Sequence, residues 1–305
     1  MLTIAYMTCR RNPLIEMFLD SFHRECGGDY TDMKIVVVDF YADEPGRKEE
    51  FAKKAHCPIT HVPPKPCVWQ GPHRLTKKDY FAASNARNTA VCYAPDGWIA
   101  FVDDLSVLCP GWLGEVKRMV SIEVIACGAY EKVRDLKVEH GEIVGYTSTE
   151  LGTDGRLKNV KSREPVKCNG GWMFGSSCSI PVEALLKING WDEDCDSLSG
   201  EDYICGHMLQ QHGYRFRYCP RMKTLESEDG HYGDTSFARF DKGVSPNDKS
   251  HAILNRVKRG RSMAPNYFGD GGLRALRQRI LSGMTFPIPS EPQHDWYDGQ
   301  SLSEL

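Results

Sequence analysis

The sequence predicts an α/β protein built on a mixed, mostly parallel β-sheet flanked by helices. Three apolar runs of strand length, 2–6, 34–39 and 98–102, are each followed by polar residues and then by a segment with the apolar spacing of a helix. Continuous apolar runs of this kind are typical of parallel strands that are covered on both faces. At 305 residues the chain is long for one domain and short for two, so we expect one α/β core with appendages.

The first half of the chain has the pattern of successive strand–helix units. Leu14, Met17 and Phe18, for example, have the spacing of a helix that buries one face. The predicted elements are a strand at Leu2–Tyr6, a helix at Leu14–Phe22, a strand at Lys34–Asp39, a helix at Arg47–Ala55, a long loop at Cys57–Lys78, a helix at Tyr80–Tyr93, a strand at Trp98–Val102 and a helix from Pro110 to Ser121.

The second half of the chain predicts weaker strands, followed by polar and basic segments. The predicted elements are two strands of a sheet extension or flap at Val124–Tyr130 and Glu142–Thr147, a Gly/Ser-rich strand at Gly170–Pro181, a helix at Val182–Ile188, a helix at Tyr203–His212 and a strand at Tyr214–Tyr218. We place one domain at 1–235, divided near residue 123. A basic C-terminal extension at 236–286 and an acidic, Pro-rich tail at 287–305 follow it.

Composition and charge exclude several classes of protein. The formal net charge of −3 argues against a protein that coats nucleic acid over its whole surface, although a local basic patch is compatible with that sum. No apolar run approaches the roughly 18 residues of a membrane-spanning helix. The N-terminus has the pattern of a first strand and lacks the basic region of a signal peptide. We therefore expect a soluble, cytoplasmic protein.

The cysteines favour free thiols. All 12 are spread along the chain without a CxxC pair, and in a chain of this length that distribution is typical of a reducing compartment. Cys57, His61, Cys67 and His73 form a local group of metal-ligand residue types, but their spacing matches no common zinc-finger pattern. We interpret this group as part of a Pro-rich loop, with a zinc site as the alternative.

Two pairs of adjacent acidic residues lie at positions that suit ligand binding or catalysis. Asp103-Asp104 follows the strand Trp98–Val102, and open α/β sheets bind ligands at the carboxyl ends of their strands. Glu201-Asp202 begins a predicted helix, where free N–H groups and the helix dipole favour ionised carboxylates. Solvated surface charge also explains the first pair, and helix capping also explains the second. Spacing alone does not decide between these interpretations, but the order of the motifs along the chain does.

Taken in that order, the motifs resemble those of the GT-A glycosyltransferases, in particular the family-2-like and galactosyltransferase-like inverting enzymes. The match covers residues 2–220. Ile4–Pro13 looks like the family's opening strand and loop, and Val36–Asp39 looks like the family's strand whose acid holds the donor's base. Asn85–Thr89 followed by Phe101–Asp104 looks like the family's helix motif leading into its metal-binding DxD strand. Lys187–Trp191 followed by Ser199–Asp202 looks like the segment that carries the catalytic base.

The resemblance implies a fold and a reaction. The fold is GT-A, a Rossmann-like α/β architecture with a mixed, mostly parallel sheet flanked by helices, here with a C-terminal extension. The reaction is inverting transfer of a sugar from a nucleotide-diphosphate donor, a UDP-sugar in the first place, with Mn²⁺ or Mg²⁺ as cofactor. Residues 1–123 would form the nucleotide-sugar-binding half, and residues 124–235 would form the acceptor and catalytic-base half.

The resemblance also implies a role for each matching residue. Asp202 would be the general base, and Glu201 would orient the acceptor. The implied donor-binding residues are Thr8, Arg10, Asp39, Asn85, Arg87 and Asp103, and Trp172 is added as an aromatic wall of the sugar pocket. The implied metal ligands are Asp104, Asp103 and His231, with His251 in reserve.

Two departures from the family pattern and one basic segment affect the choice of substrates. Leu105 stands at the third DxD position, and Phe40-Tyr41 replaces the small polar residues that are usual after the donor-base acid. The segment 249–279 is rich in arginine and suits a phosphate backbone, so a hydroxymethylated pyrimidine in DNA is one candidate acceptor. A saccharide, a lipid-linked sugar or a protein hydroxyl is the other.

Two further classes of function remain as alternatives. One is a non-catalytic nucleotide-sugar-binding or lectin-like module, which would not need both acid pairs. The other is a nucleotidyltransferase, for which a Gly-rich, basic loop after the first strand is expected to hold a triphosphate. The loop Thr8–Pro13 contains arginines but no glycine.

Overall fold

The computed structural model describes residues 1–77, 79–160, 162–196, 200–233, 253–265, 271–289 and 303. The strands are β1 (Leu2–Thr8), β2 (Met33–Asp39), β3 (Ile59–Val62), β4 (Trp98–Asp103), β5 (Ser106–Leu108), β6 (Ile125–Glu139), β7 (Glu142–Thr153), β8 (Val166–Cys168), β9 (Ser177–Pro181) and β10 (Phe216–Ser227). The α-helices with described bounds are α1 (Ile15–Cys26), α2 (Arg47–Lys54), α3 (Ala83–Tyr93), α4 (Trp112–Ser121), α5 (Val182–Lys187), α6 (Glu201–Gln211), α7 (Glu228–Gly233) and α8 (Gly272–Leu281). Residues 253–258 are helical as well.

The strands form a single sheet in the order β3-β2-β1-β4-β9-β6-β10-β5, with β7 paired to β6 and β8 paired to β10. β1, β2, β3, β4, β6 and β10 run in one direction, and β5, β7, β8 and β9 run in the other. The prediction of a mixed, mostly parallel sheet is therefore confirmed. The carboxyl ends of β4 and β10, the middle of β6 and the start of β9 lie at the same edge.

Helices cover both faces of the sheet. Successive side chains of β1 alternate between the faces: Ile4 belongs to the core that contains Phe18 of α1, and Ala5 belongs to the core that contains Ala90 of α3 and Ile204 of α6. This alternation explains why the strand is continuously apolar, because each face buries its own set of side chains.

Several predicted elements differ from the structure. The predicted loop Cys57–Lys78 contains β3, which extends the parallel part of the sheet beside β2. The two weaker predicted strands are a longer hairpin, β6 and β7. In the Gly/Ser-rich stretch Gly170–Pro181 the strand is limited to Ser177–Pro181. A Cβ on Gly170 would lie 2.0 Å from the carbonyl oxygen of Gly206 in α6, so this glycine permits close packing of a loop on a helix.

The described part of the C-terminal extension packs on the core. Leu273 and Leu276 of α8 belong to the same apolar cluster as α3. Asn189 donates from Nδ2 to the carbonyl oxygens of Ala264 and Pro265 at 3.0 and 2.9 Å, and it accepts from the Leu273 amide at 2.7 Å. The predicted boundary at residue 235 lies outside the described ranges. No helix among the described residues is both long enough and apolar enough to cross a membrane.

Candidate active site

Both acid pairs line one cavity of about 290 Å³ at the carboxyl edge of the sheet. Asp103 is the last residue of β4, Asp104 follows it, and Glu201 and Asp202 form the first turn of α6. The other described residues that line this cavity are Met7, Cys9, Arg10, Phe81, Ala83, Ala86, Arg87, Tyr130, Lys132, Phe174, Gly175, Ser176, Glu226 and His231. The structure thus brings together two motifs that are about a hundred residues apart in the sequence.

The turn after Asp104 explains the leucine at the third DxD position. Leu105 is fully buried and has a φ of 60°, which directs the chain sharply from β4 into β5. Its amide donates to the carbonyl of Pro13 at 3.1 Å, and its carbonyl accepts from the amide of Ser227 at 3.0 Å. This position therefore has a structural role, and the acids before it are the ones that reach the cavity.

Asp104 is held by two side chains of the first loop. Thr8 donates from its hydroxyl to Oδ2 at 2.8 Å, and Arg10 donates from Nε to Oδ1 at 3.4 Å. Burial raises the pKa of Asp104 to about 6, while the charge of Arg10 and the hydrogen bond from Thr8 oppose that rise. Both of its oxygens are thus engaged within the chain.

Arg87 of α3 links the two acid pairs. Its Nη2 donates to Asp103 Oδ1 at 3.2 Å, and its Nη1 donates to Glu201 Oε1 at 2.6 Å. The guanidinium stacks on Trp191, 4.7 Å from the ring centre, and the Arg87 side chain is only 5% exposed. Burial raises the pKa of Asp103, and the charge of Arg87 counteracts this rise. The arginine therefore fixes the distance between the strand-end acid and the helix-start acid.

Asp202 is held in a different way, because its hydrogen bonds come from backbone amides. Gly175 N–H donates to Oδ2 at 3.3 Å, and Tyr203 N–H donates to Oδ1 at 2.8 Å. Burial, together with the negative charge of the neighbouring Glu201, raises the pKa of Asp202 to about 7, while the charge of Arg87 and the two amide hydrogen bonds oppose that rise. A carboxyl with a pKa near the working pH is suited to accept a proton during a reaction.

His231 lies in the cavity between a cation and an acid. Arg10 Nη2 is 2.7 Å from His231 Nδ1, and because a guanidinium only donates, Nδ1 must be the acceptor. Nε2 then carries the proton in the neutral ring and donates to Glu226. Burial raises the pKa of Glu226, but the contacts with His231 and Lys132 hold it below its usual value. Both ring nitrogens of His231 are thus engaged in this arrangement.

The residues suit a metal ion that is shared with a ligand. Among the described residues, no group of three histidine, cysteine, aspartate or glutamate side chains is placed to hold a metal ion alone. Asp103 lines the cavity with 36% of its side chain exposed, and its Oδ2 accepts no hydrogen bond from the described residues. Mg²⁺ typically takes one or two carboxylates and completes its coordination with phosphates and water. Asp103 and Asp104 fit that mode.

Four of the predicted donor-binding residues, Thr8, Asp39, Asn85 and Trp172, do not line the cavity. Asp39 is fully buried and pairs with Arg47 at 2.8 Å and with His61 at 3.0 Å. Asn85 is 1% exposed and donates to the carbonyl of Lys65 at 2.9 Å. Trp172 packs edge-on against Tyr218. Their contacts are structural, and Thr8 acts through Asp104, whereas Arg10, Arg87 and Asp103 line the cavity itself.

The sequence analysis missed five cavity residues that have charged or aromatic side chains: Phe81, Tyr130, Lys132, Phe174 and Glu226. Glu226 had no signal comparable to that of Asp103, because β10 is not a continuous apolar run: it contains two arginines, a proline and a lysine before Glu226. Register then places Glu226 opposite Lys132 of β6, and their charged atoms are 3.5 Å apart. The other three residues lie on segments whose approach to the cavity depends on the order of the strands.

The remaining predicted sites receive no support from the described residues. Cys67 is buried in the core, and His61 is engaged by Asp39, so the proposed Cys/His group does not come together. No metal-binding group is found among the described residues. His251 lies outside the described residues.

Comparisons with known proteins give matches among solved structures. No protein-family model and no curated protein matches the chain. The chain is similar to GalNAc-T7 with UDP, GalNAc and Mn²⁺, at 14% identity and a TM-score of 0.55, covering 95% of this chain and 59% of that one. It is also similar to S. aureus TarS 1–349 in complex with UDP, at 12% identity and a TM-score of 0.54, covering 92% and 69%.

A third structure, S. aureus TarS, has 13% identity and a TM-score of 0.53, with 92% of this chain and 42% of that chain covered. The chain therefore spans between 42% and 69% of the lengths of these three structures. At these identities the similarity establishes the architecture. The chain has the GT-A glycosyltransferase fold that its motifs predicted.

Proposed function

We propose that the chain is a glycosyltransferase that moves a sugar from a nucleotide-diphosphate donor to an acceptor hydroxyl with inversion. The observation that carries this proposal is the single cavity in which Asp103 and Asp202 are joined through Arg87 and Glu201. The strand-side wall, formed by Asp103 and Asp104, is suited to a cation and a diphosphate. The helix-side wall, formed by Glu201 and Asp202, offers a carboxyl that can accept a proton. A module that only binds sugars would not need both walls.

Asp202 is the proposed general base. It would remove the proton of the acceptor hydroxyl as that oxygen attacks the anomeric carbon from the side opposite the leaving diphosphate. The carboxyl must be ionised to do so, and its pKa of about 7 makes it a stronger base than an ordinary aspartate while leaving it ionised at slightly alkaline pH. Glu201, fixed by Arg87, would orient the acceptor.

Asp103 and Asp104 form the proposed donor side. A divalent ion held there would neutralise the charge of the leaving diphosphate. Arg10 lines the same wall and contributes a fixed positive charge next to Asp104. The structural neighbours with UDP and with Mn²⁺ support a UDP-sugar and Mn²⁺ as the first choices for this chain.

The acceptor is proposed only as a hydroxyl compound. A DNA acceptor bound through the segment 249–279 gains no support from the described residues. Arg261 pairs with Asp192 at 2.8 Å, Arg274 with Glu183, and Arg277 with Asp96 at 2.8 Å. These three arginines hold the extension on the core and are less available to phosphates. A saccharide, lipid-linked or protein hydroxyl is therefore preferred to a hydroxymethylated pyrimidine.

The test is donor turnover. The protein is incubated with a panel of UDP-, GDP- and dTDP-sugars, with Mn²⁺, Mg²⁺ or EDTA, and release of the nucleoside diphosphate is followed. We expect metal-dependent release from at least one donor, with water as the acceptor. The released sugar, examined by NMR before it mutarotates, should have the anomeric configuration opposite to that of the donor. Release of pyrophosphate from a nucleoside triphosphate and a sugar phosphate would instead identify a nucleotidyltransferase.

A further inference from the structure

A buried ion pair lies outside every motif of the sequence. Asp154 is 0% exposed and Arg156 is 8% exposed, and both lie directly after β7. Arg156 Nε lies 2.9 and 3.1 Å from the two carboxylate oxygens of Asp154, and Nη2 lies 2.7 Å from Oδ2. Tyr218 donates its hydroxyl proton to the same carboxylate at 2.9 Å. Both oxygens of Asp154 are thus engaged.

Arg156 also contacts the segment that forms one wall of the cavity. Its Nη1 donates to the carbonyl oxygen of Trp172, and its Nη2 donates to that of Gly128 at 2.7 Å. Its Cζ lies 4.1 Å from the ring centre of Phe174, which lines the cavity. A single side chain therefore holds both the main chain and an aromatic side chain of residues 172–174.

The next residue of this segment contacts Asp202. Gly175 N–H donates to Asp202 Oδ2 at 3.3 Å. A Cβ on Gly175 would lie only 2.1 Å from Arg87 Nη2, so this residue already packs tightly against the cavity side. The segment is thus confined between Arg156 on one side and Arg87 on the other. Any displacement of it moves the amide that holds Asp202.

Stability does not by itself explain the ion pair. Replacing a buried pair by apolar residues of similar volume is often neutral or stabilising. The pair does fix the orientation of the neighbouring main chain. The planar guanidinium of Arg156 has donors at set angles, and it donates to Asp154, Trp172 and Gly128 at the same time.

We propose that Arg156, held by Asp154, is a positioning residue for Asp202: it fixes residues 172–175 so that the Gly175 amide donates to the Asp202 carboxylate. This inference rests on the proposed function of Asp202 as the base. Arg156 acts through the segment and does not line the cavity.

The test compares three proteins. The double variant Asp154→Leu with Arg156→Met removes the pair without leaving a buried charge, and Tyr218→Phe, the matched control, keeps the pair and removes one hydrogen bond. Denaturant unfolding establishes that each variant is folded. The Asp202 carboxyl is then titrated by NMR, with Arg87 and Glu201 as the charged groups that face it. We expect its pKa to rise in the double variant, because a hydrogen bond to the ionised form is weakened.

Turnover gives the second measurement. In the double variant we expect kcat to fall about 10- to 100-fold with the donor KM unchanged, because the base is misplaced while the donor wall is intact. A folded double variant in which Asp202 titrates as in the wild type overturns the proposal. If the double variant does not fold, Arg156→Lys, which keeps the charge and loses the planar donors, is used for the same titration.

The two proposals fail in different ways. Absence of turnover by the wild type with every donor overturns the proposed function. The NMR titration needs no turnover, so it still decides whether Arg156 positions the Asp202 carboxylate.

Discussion

The two walls of the cavity differ in what holds their carboxylates. On the strand side both acids contact a guanidinium, Asp103 that of Arg87 and Asp104 that of Arg10. On the helix side Glu201 also contacts Arg87. Asp202 is held by the amides of Gly175 and Tyr203, and no cationic side chain among the described residues forms an ion pair with it. The pKa is raised to about 6 for Asp104 and to about 7 for Asp202.

This difference suits the two walls to different tasks: Asp103 and Asp104 to carry a constant negative charge, and Asp202 to exchange a proton. Burial raises the pKa of both Asp104 and Asp202. The positive charge of a nearby guanidinium lowers each pKa in part, because it stabilises the carboxylate anion. The strand-side acids are therefore suited to remain ionised beside a cation or a diphosphate. Asp202 is suited to change its protonation state near neutral pH.

The largest effect is expected from removing Arg87, because this residue serves both walls. In Arg87→Met three carboxylates lose compensating charge, and breaking a buried ion pair in this way costs about 3–5 kcal/mol. We expect a matching loss in the free energy of unfolding in urea and a fall in kcat of about 1000-fold. Arg274→Met, which removes an ion pair with Glu183 in which both side chains are exposed, is the control and should leave both quantities nearly unchanged.

The pH profile tests the difference between the walls directly. Because Asp202 must be ionised, turnover should rise with pH and level off above its pKa of about 7. At two pH units below that value the rate should be about 100-fold lower. The residual turnover of Asp202→Asn should lack this acidic limb. If turnover by the wild type instead rose with pH around pH 4, the base would be a carboxylate with an ordinary pKa.

Gly175→Ala should perturb the contact between the walls. The added Cβ would lie 2.1 Å from Arg87 Nη2, so the guanidinium or the segment must move, and the amide that holds Asp202 moves with it. We expect kcat to fall about 10-fold, because the Gly175 amide and the Asp202 carboxylate would shift by less than about 1 Å. Gly145→Ala is the matched control, because nothing lies within 4 Å of its Cβ position. Equal activity in both variants would contradict the packing argument.

The smallest expected effect is on stability. The pKa of Asp202 is raised in the folded state, so between about pH 4 and pH 7 the folded state retains a proton that the unfolded state has lost, and stability falls as the pH rises. An asparagine side chain does not ionise, so the variant Asp202→Asn should be more stable than the wild type at pH 8 by about 1–2 kcal/mol. The difference should shrink at pH 4, as measured by urea unfolding at both values.

The parts of the fold that the sequence predicted are those that local patterns determine. Continuous apolar runs located β1, β2 and β4, and the order of the acid motifs indicated the architecture. The length of the β6–β7 hairpin was underestimated, because its outer half is polar and alternates weakly.

The composition of the site was less predictable, because its contacts join distant residues. Arg10 and His231 are 221 positions apart, and Glu226 reaches the cavity only through the register of β10 with β6. Asp39 has a suitable acid at a strand end, but Arg47 and His61 seal it from the cavity, and no sequence spacing reveals those partners.

The central claim is that one wall binds the donor and Asp202 performs the proton transfer. The most direct measurement compares the wild type with Asp202→Asn in two assays on the same preparations: UDP binding by calorimetry with Mn²⁺, and turnover of the donor identified in the panel. The account predicts equal UDP affinity and a fall in kcat of about 100- to 10,000-fold in the variant. Unchanged turnover, or a loss of UDP binding that matches the loss of turnover, would contradict it.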